Sequence, residues 1–321
     1  QFSFQTERSI LKLLGDSNAH KVEVLSFTRL YDEISNSSGG ICGKLLSDSD
    51  KIILMNRTLS SLQAELTVWG KYAHSINFSK TILDIIGEFK VNAISPKEIR
   101  NAADKSNKRT LKNKLYDIAL IYENFDAVLA EKFIDNTDRL TKLYYALENY
   151  KYFENKTVFI DSFKSFSGQQ YKIIERILSQ AKSVTVTLTD NPNDTRAFGV
   201  FSNVKKVKNR ISAIARGFAI TVQDDIVLRG KHYAFEDLSA LEDFMATGKT
   251  DFKDTSHNIT LCRADNVYNE ADFVARNIRR IVRQTGARYS DFVIIARDTE
   301  PYESALEVAC KKNMSISCGR S

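Results

Sequence analysis

The sequence predicts an α/β protein made of two parallel-sheet units, with a helical block inserted into the first. Three observations carry this. Residues 157–188 run strand, helix, strand; residues 259–311 repeat that rhythm; and 47–150 between 1–35 and the first rhythm keep a helical period almost throughout. The expected organisation is a first α/β domain from 1–35 and 151–255, a helical insertion at 36–150, and the start of a second α/β domain at 256–321. With 321 residues, 43% hydrophobic and only three prolines, the chain can bury one large core or two moderate ones.

Val22 to Phe27 alternates enough to read as a short strand, and Thr28-Arg29-Leu30-Tyr31 could open a helix after it. Three apolar stripes mark the helical block: Ile82, Ile85, Ile86 and Phe89; then Leu115, Ile118, Leu120, Ile121 and Phe125; then Leu140, Leu143, Tyr144 and Leu147. Ser95, Pro96 and Glu98 read as a helix start, with a hydroxyl N-cap, proline at the first helical position and a capping-box acid. Thr157–Ile160 and Val184–Leu188 are β-rich runs around an amphipathic helix at Gln170–Gln180. Residues 191–255 give no clear period. Beyond them the expected order is strand Ile259–Arg263, helix Asn269–Gln284, strand Phe292–Ala296 and helix Tyr302–Lys311.

A net charge of +6 is too mild to specify a partner, but its distribution is uneven. Seven lysines and arginines against two acids lie between Lys97 and Lys114; five with no acid lie between Lys205 and Arg216, and five between Arg276 and Arg288. Such patches attract phosphate backbones through counterion release, or are simply solvated helix faces. The apolar runs are too short to span a bilayer and no charged-then-apolar leader opens the chain, so a cytoplasmic, nucleoid-associated protein with no membrane partner is expected. Because the first residue is Gln1, a fragment of a longer polypeptide is expected too.

Enzyme signatures are missing. Cys42, Cys262, Cys310 and Cys318 form no Cys-x-x-Cys pair, and only four histidines accompany them, so no metal site is expected. A phosphate-binding loop needs Gly-x4-Gly-Lys-Ser/Thr, whose backbone N–H groups cradle the phosphates. Gly248-Lys249-Thr250 ends correctly, but Asp243 stands where the first glycine belongs; Gly43-Lys44 is followed by Leu45. Neither is a cradle.

The run from Asp161 to Gln170 is similar in outline to motif II of superfamily 1 helicases, which reads Asp-Glu-Phe-Gln-Asp-Thr and reaches a glutamine nine positions on. Asp161, Phe163 and Gln170 fit; Ser162, Lys164 and Ser165 do not. An aspartate there can hold Mg²⁺ beside a nucleotide, but hydrolysis also needs a group that orients or deprotonates water, and Ser162 cannot do that. The segment from Asn269 to Asp298 resembles the start of the second motor domain of those helicases, with Arg297 at the motif IV arginine.

Nearly the whole chain, in order, resembles the AddB/RexB subunit of the bacterial AddAB-type ATP-dependent helicase-nuclease. The residues that carry the likeness are Gln1-Phe2-Ser3-Phe4-Gln5-Thr6-Glu7, Val24 to Leu30, Glu88-Phe89-Lys90 with Ser95 to Glu98, Lys114 to Tyr122, and Phe159 to Gln169. The resemblance implies RecA-like, P-loop NTPase-type sheet domains around the helical insertion, and a motor fold without motor activity. It implies single-stranded DNA as ligand, scanned for a recombination hotspot, and an AddA-type motor and nuclease subunit as heterodimer partner. DNA-binding residues by position would be Gln1, Ser3, Phe27, Arg29 and Phe163; nucleotide-site remnants would be Asp161, Gln170 and Arg297. Asp32 departs from the pattern, falling where a relative can carry an aromatic. No cofactor is expected in this chain, whereas full-length relatives would bind ATP with Mg²⁺ and an iron-sulfur cluster. The residues leave two other readings open: a nucleotide-binding clamp or ATPase whose loop lies outside the chain, and a scaffold for the partner motor.

Overall fold

The computed structural model describes residues 2–15, 17–37, 44–134, 138–191, 199–228 and 233–314. It divides into two compact units, one of Gln1–Arg229 with Met245–Thr247 and one of Gly230–Phe244 with Gly248–Ser321.

The first unit opens with α1 (Phe2–Leu14), a helix that the sequence pattern does not announce, and α2 (Phe27–Ser37). The strand expected over Val22–Phe27 does not form. Residues 22–26 are extended but join no ladder, and Ser26 ends them as the N-cap of α2: its hydroxyl accepts from the Arg29 N–H at 3.2 Å and its carbonyl from the Leu30 N–H at 2.9 Å. Phe27 is therefore the first residue of a helix, not the last of a strand.

The helical block consists of α3 (Asp48–Ser61), α4 (Ile76–Val91), α5 (Pro96–Lys105), α6 (Arg109–Lys132) and α7 (Arg139–Asn149). The start of α5 follows the cap chemistry read from the sequence. Ser95 accepts from the Glu98 N–H at 3.3 Å while the Glu98 carboxylate accepts from the Ser95 N–H at 2.7 Å, with Pro96 at the first position. Ser47 and Asp50 make a second box at α3.

The apolar stripes of α3 to α6 close one core around Met55, Leu59, Ile82, Ile86, Ile99, Ile118, Ile121 and Phe125, all buried. Asp117 is buried beside them with its charge answered by three backbone donors, the N–H groups of Thr67, Val68 and Trp69 at 3.0, 2.8 and 3.2 Å. The third stripe goes elsewhere. Leu143 and Leu147 on α7 pack with Leu30 and Ile34 of α2 and with Ile173 and Ile177 of α8 (Gly168–Gln180).

Between these helices lie two short parallel pairs. The strands β1 (Lys44–Leu45) and β2 (Phe133–Ile134) pair over two residues each. The strands β3 (Thr157–Ile160) and β4 (Ser183–Val186) pair from Thr157↔Ser183 to Ile160↔Val186, joined by α8 as a β-α-β crossover. On one face of this pair α9 (Ser202–Gly217) lays Val207 and Ile211 against Ile160, Tyr171 and Ile174. The first unit is thus helix-rich with small parallel pairs, rather than a wide sheet.

Two contacts at the carboxyl end of α4 tie it to neighbouring elements of the first unit. The Lys90 ammonium, 3% exposed, lies 2.8 Å from an Asp138 oxygen beside α7 and 2.7 Å from Asp126 on α6. Burial alone would lower its pKa, but the two aspartates outweigh that and hold it above the ordinary lysine value. Two residues further on, the Asn92 carbonyl sits against Gly168 at the start of α8, where a Cβ would come within 2.0 Å of the oxygen.

The second unit contains α10 from Glu236 to Phe244 of its range Glu236–Thr247, then α11 (Val267–Thr285) and α12 (Glu303–Met314). Asn266 caps α11 through the Asn269 N–H at 2.9 Å, and Gly286, at φ 72°, ends it in the left-handed region that only glycine enters freely. The small residues Ala271, Ala275, Ala305 and Ala309 let α11 and α12 approach closely, with Cys310 and Met314 filling the seam. The strands expected at Ile259–Arg263 and Phe292–Ala296 do not form: both segments are strand-like in composition, yet neither pairs with another strand among the described residues.

Asp237 anchors the chain that leads into the first of these segments. It accepts from the N–H groups of His257 (3.2 Å) and Asn258 (3.0 Å) and from the Ser256 hydroxyl (2.8 Å). Burial opposes its ionisation, but the Asn258 and Ser256 donors prevail and hold its pKa down to about 2. A depressed carboxylate stabilises the fold fully above its unfolded value of about 3.9 and loses that contribution as pH falls through about 2. Melting the wild type and Asp237→Asn between pH 5 and 2, an order-of-magnitude window set by those two values, is expected to show the wild-type advantage shrinking on acidification; an advantage that stays constant would remove Asp237 as its source.

Candidate nucleic-acid interface

The carboxyl end of β3 and the amino end of α2 meet in an aromatic cluster. Phe27 lies edge-on to Phe163 with centroids 5.6 Å apart and to Phe166 at 6.4 Å; Phe163 and Phe166 stack at 4.8 Å; Phe166 meets the edge of Tyr171 at 5.5 Å. The Arg210 guanidinium of α9 lies 3.8 Å over the Tyr171 ring, a cation–π contact that extends the cluster toward a charge. Phe27, Phe163 and Phe166 are half-buried, so each ring packs inward while keeping part of its surface in water. In the first turn of α2, the Arg29 side chain is 48% exposed and pairs with Glu7 of α1 at 3.0 Å.

Beside Phe163 the β3 end turns sharply. Ser162 has φ 64°, a left-handed conformation that costs a non-glycine residue about 1–2 kcal/mol. It donates its hydroxyl to Asp161 at 2.9 Å, and the Thr187 hydroxyl donates to the other Asp161 oxygen. The Thr187 bond first and the Ser162 bond second hold the Asp161 pKa below the usual aspartate value. Asp161 is thus an ionised, exposed carboxylate already engaged by two hydroxyls.

The residues expected from the sequence divide accordingly. Phe27 and Phe163 come together, with Arg29 on the helix that carries Phe27. Gln170 serves α8 itself: its side-chain oxygen accepts from the Ser167 N–H at 2.8 Å and its N–H donates to the Ser167 hydroxyl at 3.2 Å, a capping box. Ser3 lies in the first turn of α1, and Gln1 lies outside the described residues. Arg297 is exposed and belongs to the second unit. Phe166, Tyr171, Arg210 and Glu7 join the site without having been expected there. The Phe163-x-x-Phe166 spacing is a readable hint of a continued aromatic face; Arg210 and Glu7 have no local signal, because their partners are far away in the chain.

The basic cluster on α9 sits on a two-faced helix: Val204, Val207 and Ile211 are buried, while Lys206, Lys208 and Arg210 lie on the solvent side. Lys208 pairs with Asp225. In the other two, Arg100 pairs with Glu123, Lys112 with Asp104 at 3.6 Å, and Arg276 with Asp272. Ion pairs already present reduce the charge available to a phosphate.

Asp161 lacks a neighbouring water-orienting group, the 321 residues contain no complete phosphate cradle, and among the described residues no three His, Cys, Asp or Glu side chains are grouped to hold a metal ion. No described helix is long and apolar enough to cross a membrane.

A helix-rich α/β protein with an aromatic and arginine surface at a strand end is the class this geometry defines. Comparison with known families is specific: residues 1–242 match the family described as ADDB, N-terminal. The chain is 32% identical over 318 residues to the B subunit of the ATP-dependent helicase/deoxyribonuclease of Clostridium acetobutylicum, covering 97% of the chain and 28% of that protein. It is 32% identical over 309 residues to the corresponding protein of Caldanaerobacter subterraneus subsp. tengcongensis, covering 94% and 27% respectively. The chain belongs to the AddB family. It spans about 28% of the length of the curated relatives it matches.

Proposed function

We propose that this chain is the non-catalytic helicase-like part of a double-strand-break repair helicase-nuclease, and that it grips single-stranded DNA and scans it for a recombination hotspot. What supports this most is the meeting of Phe27 and Phe163, 5.6 Å apart at a strand end, beside the exposed Arg29. Aromatic faces stack on unpaired bases at about 1–3 kcal/mol each, and a guanidinium supplies forked donors to a phosphate or base edge. In this reading Gln1 and Ser3 also bind the DNA; Asp161 and Gln170 in the first unit, and Arg297 in the second, are remnants of nucleotide-site motifs. Residues 1–35 with 151–255 act as the first RecA-like domain, 36–150 as its insertion and 256–321 as the start of the second. The relatives are each named as one subunit of a helicase/deoxyribonuclease, which supports an AddA-type partner. ATP with Mg²⁺ and an iron-sulfur cluster belong, in this reading, to residues outside the chain.

Fluorescence anisotropy with labelled single-stranded DNA across a salt series tests it. The logarithm of the affinity should fall with the logarithm of salt, by about 0.7 per neutralised phosphate. Phe27→Ala with Arg29→Ala should weaken binding about 10-fold or more, measured at a temperature where circular dichroism shows the variant folded. Glu7→Gln, which releases Arg29 from its carboxylate, should tighten it. Salt-independent affinity, or affinity indifferent to the double variant, would sink the proposal; pull-down of the partner motor without DNA contact would then favour a scaffold.

A further inference from the structure

We infer that α9 carries the next step of the single-strand path: Arg210, seated on Tyr171, and Lys206, one turn before it, hold two successive phosphates of the strand that Phe27 and Phe163 grip. This path rests on the reading of the aromatic cluster as a DNA contact, and it fixes where the strand goes on leaving that cluster.

The contacts run without a break from ring to charge. Phe163 stacks on Phe166 at 4.8 Å, Phe166 meets the edge of Tyr171 at 5.5 Å, and the Arg210 guanidinium lies 3.8 Å over the Tyr171 ring. Tyr171 is only 5% exposed and offers no face to a base. What the surface presents at that point is Arg210 itself, which is exposed. A guanidinium seated on a ring keeps N–H donors for a phosphate and has given up part of its rotamer freedom before the ligand arrives.

Lys206 is exposed too, and being four residues from Arg210 it lies within about 40° of it around the helix and about 6 Å from it along the axis. No acid occurs between residues 202 and 217, and among the described residues no carboxylate pairs with either cation. The other two basic clusters differ, since Arg100, Arg276 and Arg288 are each answered by a carboxylate. Free cations that continue a stacking platform, rather than cations alone, are the combination that tracks a single strand.

Anisotropy with a labelled oligothymidylate between about 0.1 M and about 1 M salt tests it. Lys206→Gln with Arg210→Gln should reduce the slope of log affinity against log salt by about 1.4, two phosphates at about 0.7 each. Binding should then be about 25-fold weaker at about 0.1 M salt and converge with that of the unaltered chain near about 1 M. Phe27→Ala should instead weaken binding by a similar factor at every salt concentration, because stacking releases no counterion. Lys208→Gln removes the same charge from the same helix, but Asp225 already answers that lysine, so the slope should stay. Each variant is compared at a temperature where circular dichroism shows it folded. Salt-dependent binding whose slope is unchanged in the double variant, or is lowered as much by Lys208→Gln as by Arg210→Gln, overturns the inference alone and leaves Arg210 as packing on Tyr171. No binding by the unaltered chain, salt-independent binding, or binding indifferent to Phe27→Ala overturns the reading of the cluster and the inference with it.

Discussion

Lys90→Ala is expected to lower the unfolding free energy of the first unit by about 3 kcal/mol, at the lower end of the range for removing one partner of a buried ion pair. The side chain is 3% exposed and its loss leaves Asp126 and Asp138 facing each other without the cation between them. Asp126 still reaches water, and so the upper end of the range is not expected. Urea denaturation followed by circular dichroism gives the value. Lys90→Met with Asp138→Leu, which removes the cation and the more buried of its two carboxylates while keeping volume, should recover much of the loss. If the single and double variants are equally unstable, packing rather than charge holds this joint.

Gly168→Ala is expected to destabilise by about 1–3 kcal/mol or more, the usual range for overpacking a tight site. An alanine in a helix interior normally gains about 1 kcal/mol over glycine, so the sign is the informative part. The reversal comes from the Asn92 carbonyl, 2.0 Å from where the Cβ would stand; it is backbone, and it cannot swing away as a side-chain tip could. Gly87→Ala is the matched control. Gly87 lies inside α4 with nothing within 4 Å of its Cβ position, so the same change should stabilise. Two stabilising results would mean that α4 and α8 do not meet as closely as described.

Both predictions concern one place, and that place is hard to see in the sequence. Ser95, Pro96 and Glu98 announce a helix start because a cap is chemistry within four residues, and the stripes through Ile82 and Ile118 announce buried faces because a period is local too. Lys90 carries no such mark: its partners Asp126 and Asp138 lie on other elements, and only the folded chain selects them from among forty acids. The strand expected at 22–27 fails because alternation does not reveal whether Ser26 will cap a helix. At 259–263 and 292–296 the strand composition is legible, but a ladder is a property of two segments and one alone cannot specify it.

The candidate site shows the same division. Phe27, Arg29 and Phe163 follow from resemblance, and the fold brings the two rings into contact. The aromatic surface is larger than those positions suggest, because Phe166 and Tyr171 continue it and Arg210 arrives over Tyr171 from α9.

The left-handed turn at Ser162 bears on substitution as well as on shape. At φ 64° any residue other than glycine carries a cost of about 1–2 kcal/mol. A glutamate placed at 162 would carry the same strain and lose the Ser162 hydroxyl's bond to Asp161, while Thr187 would still engage the other Asp161 oxygen. One substitution there adds a carboxylate without freeing the one beside it.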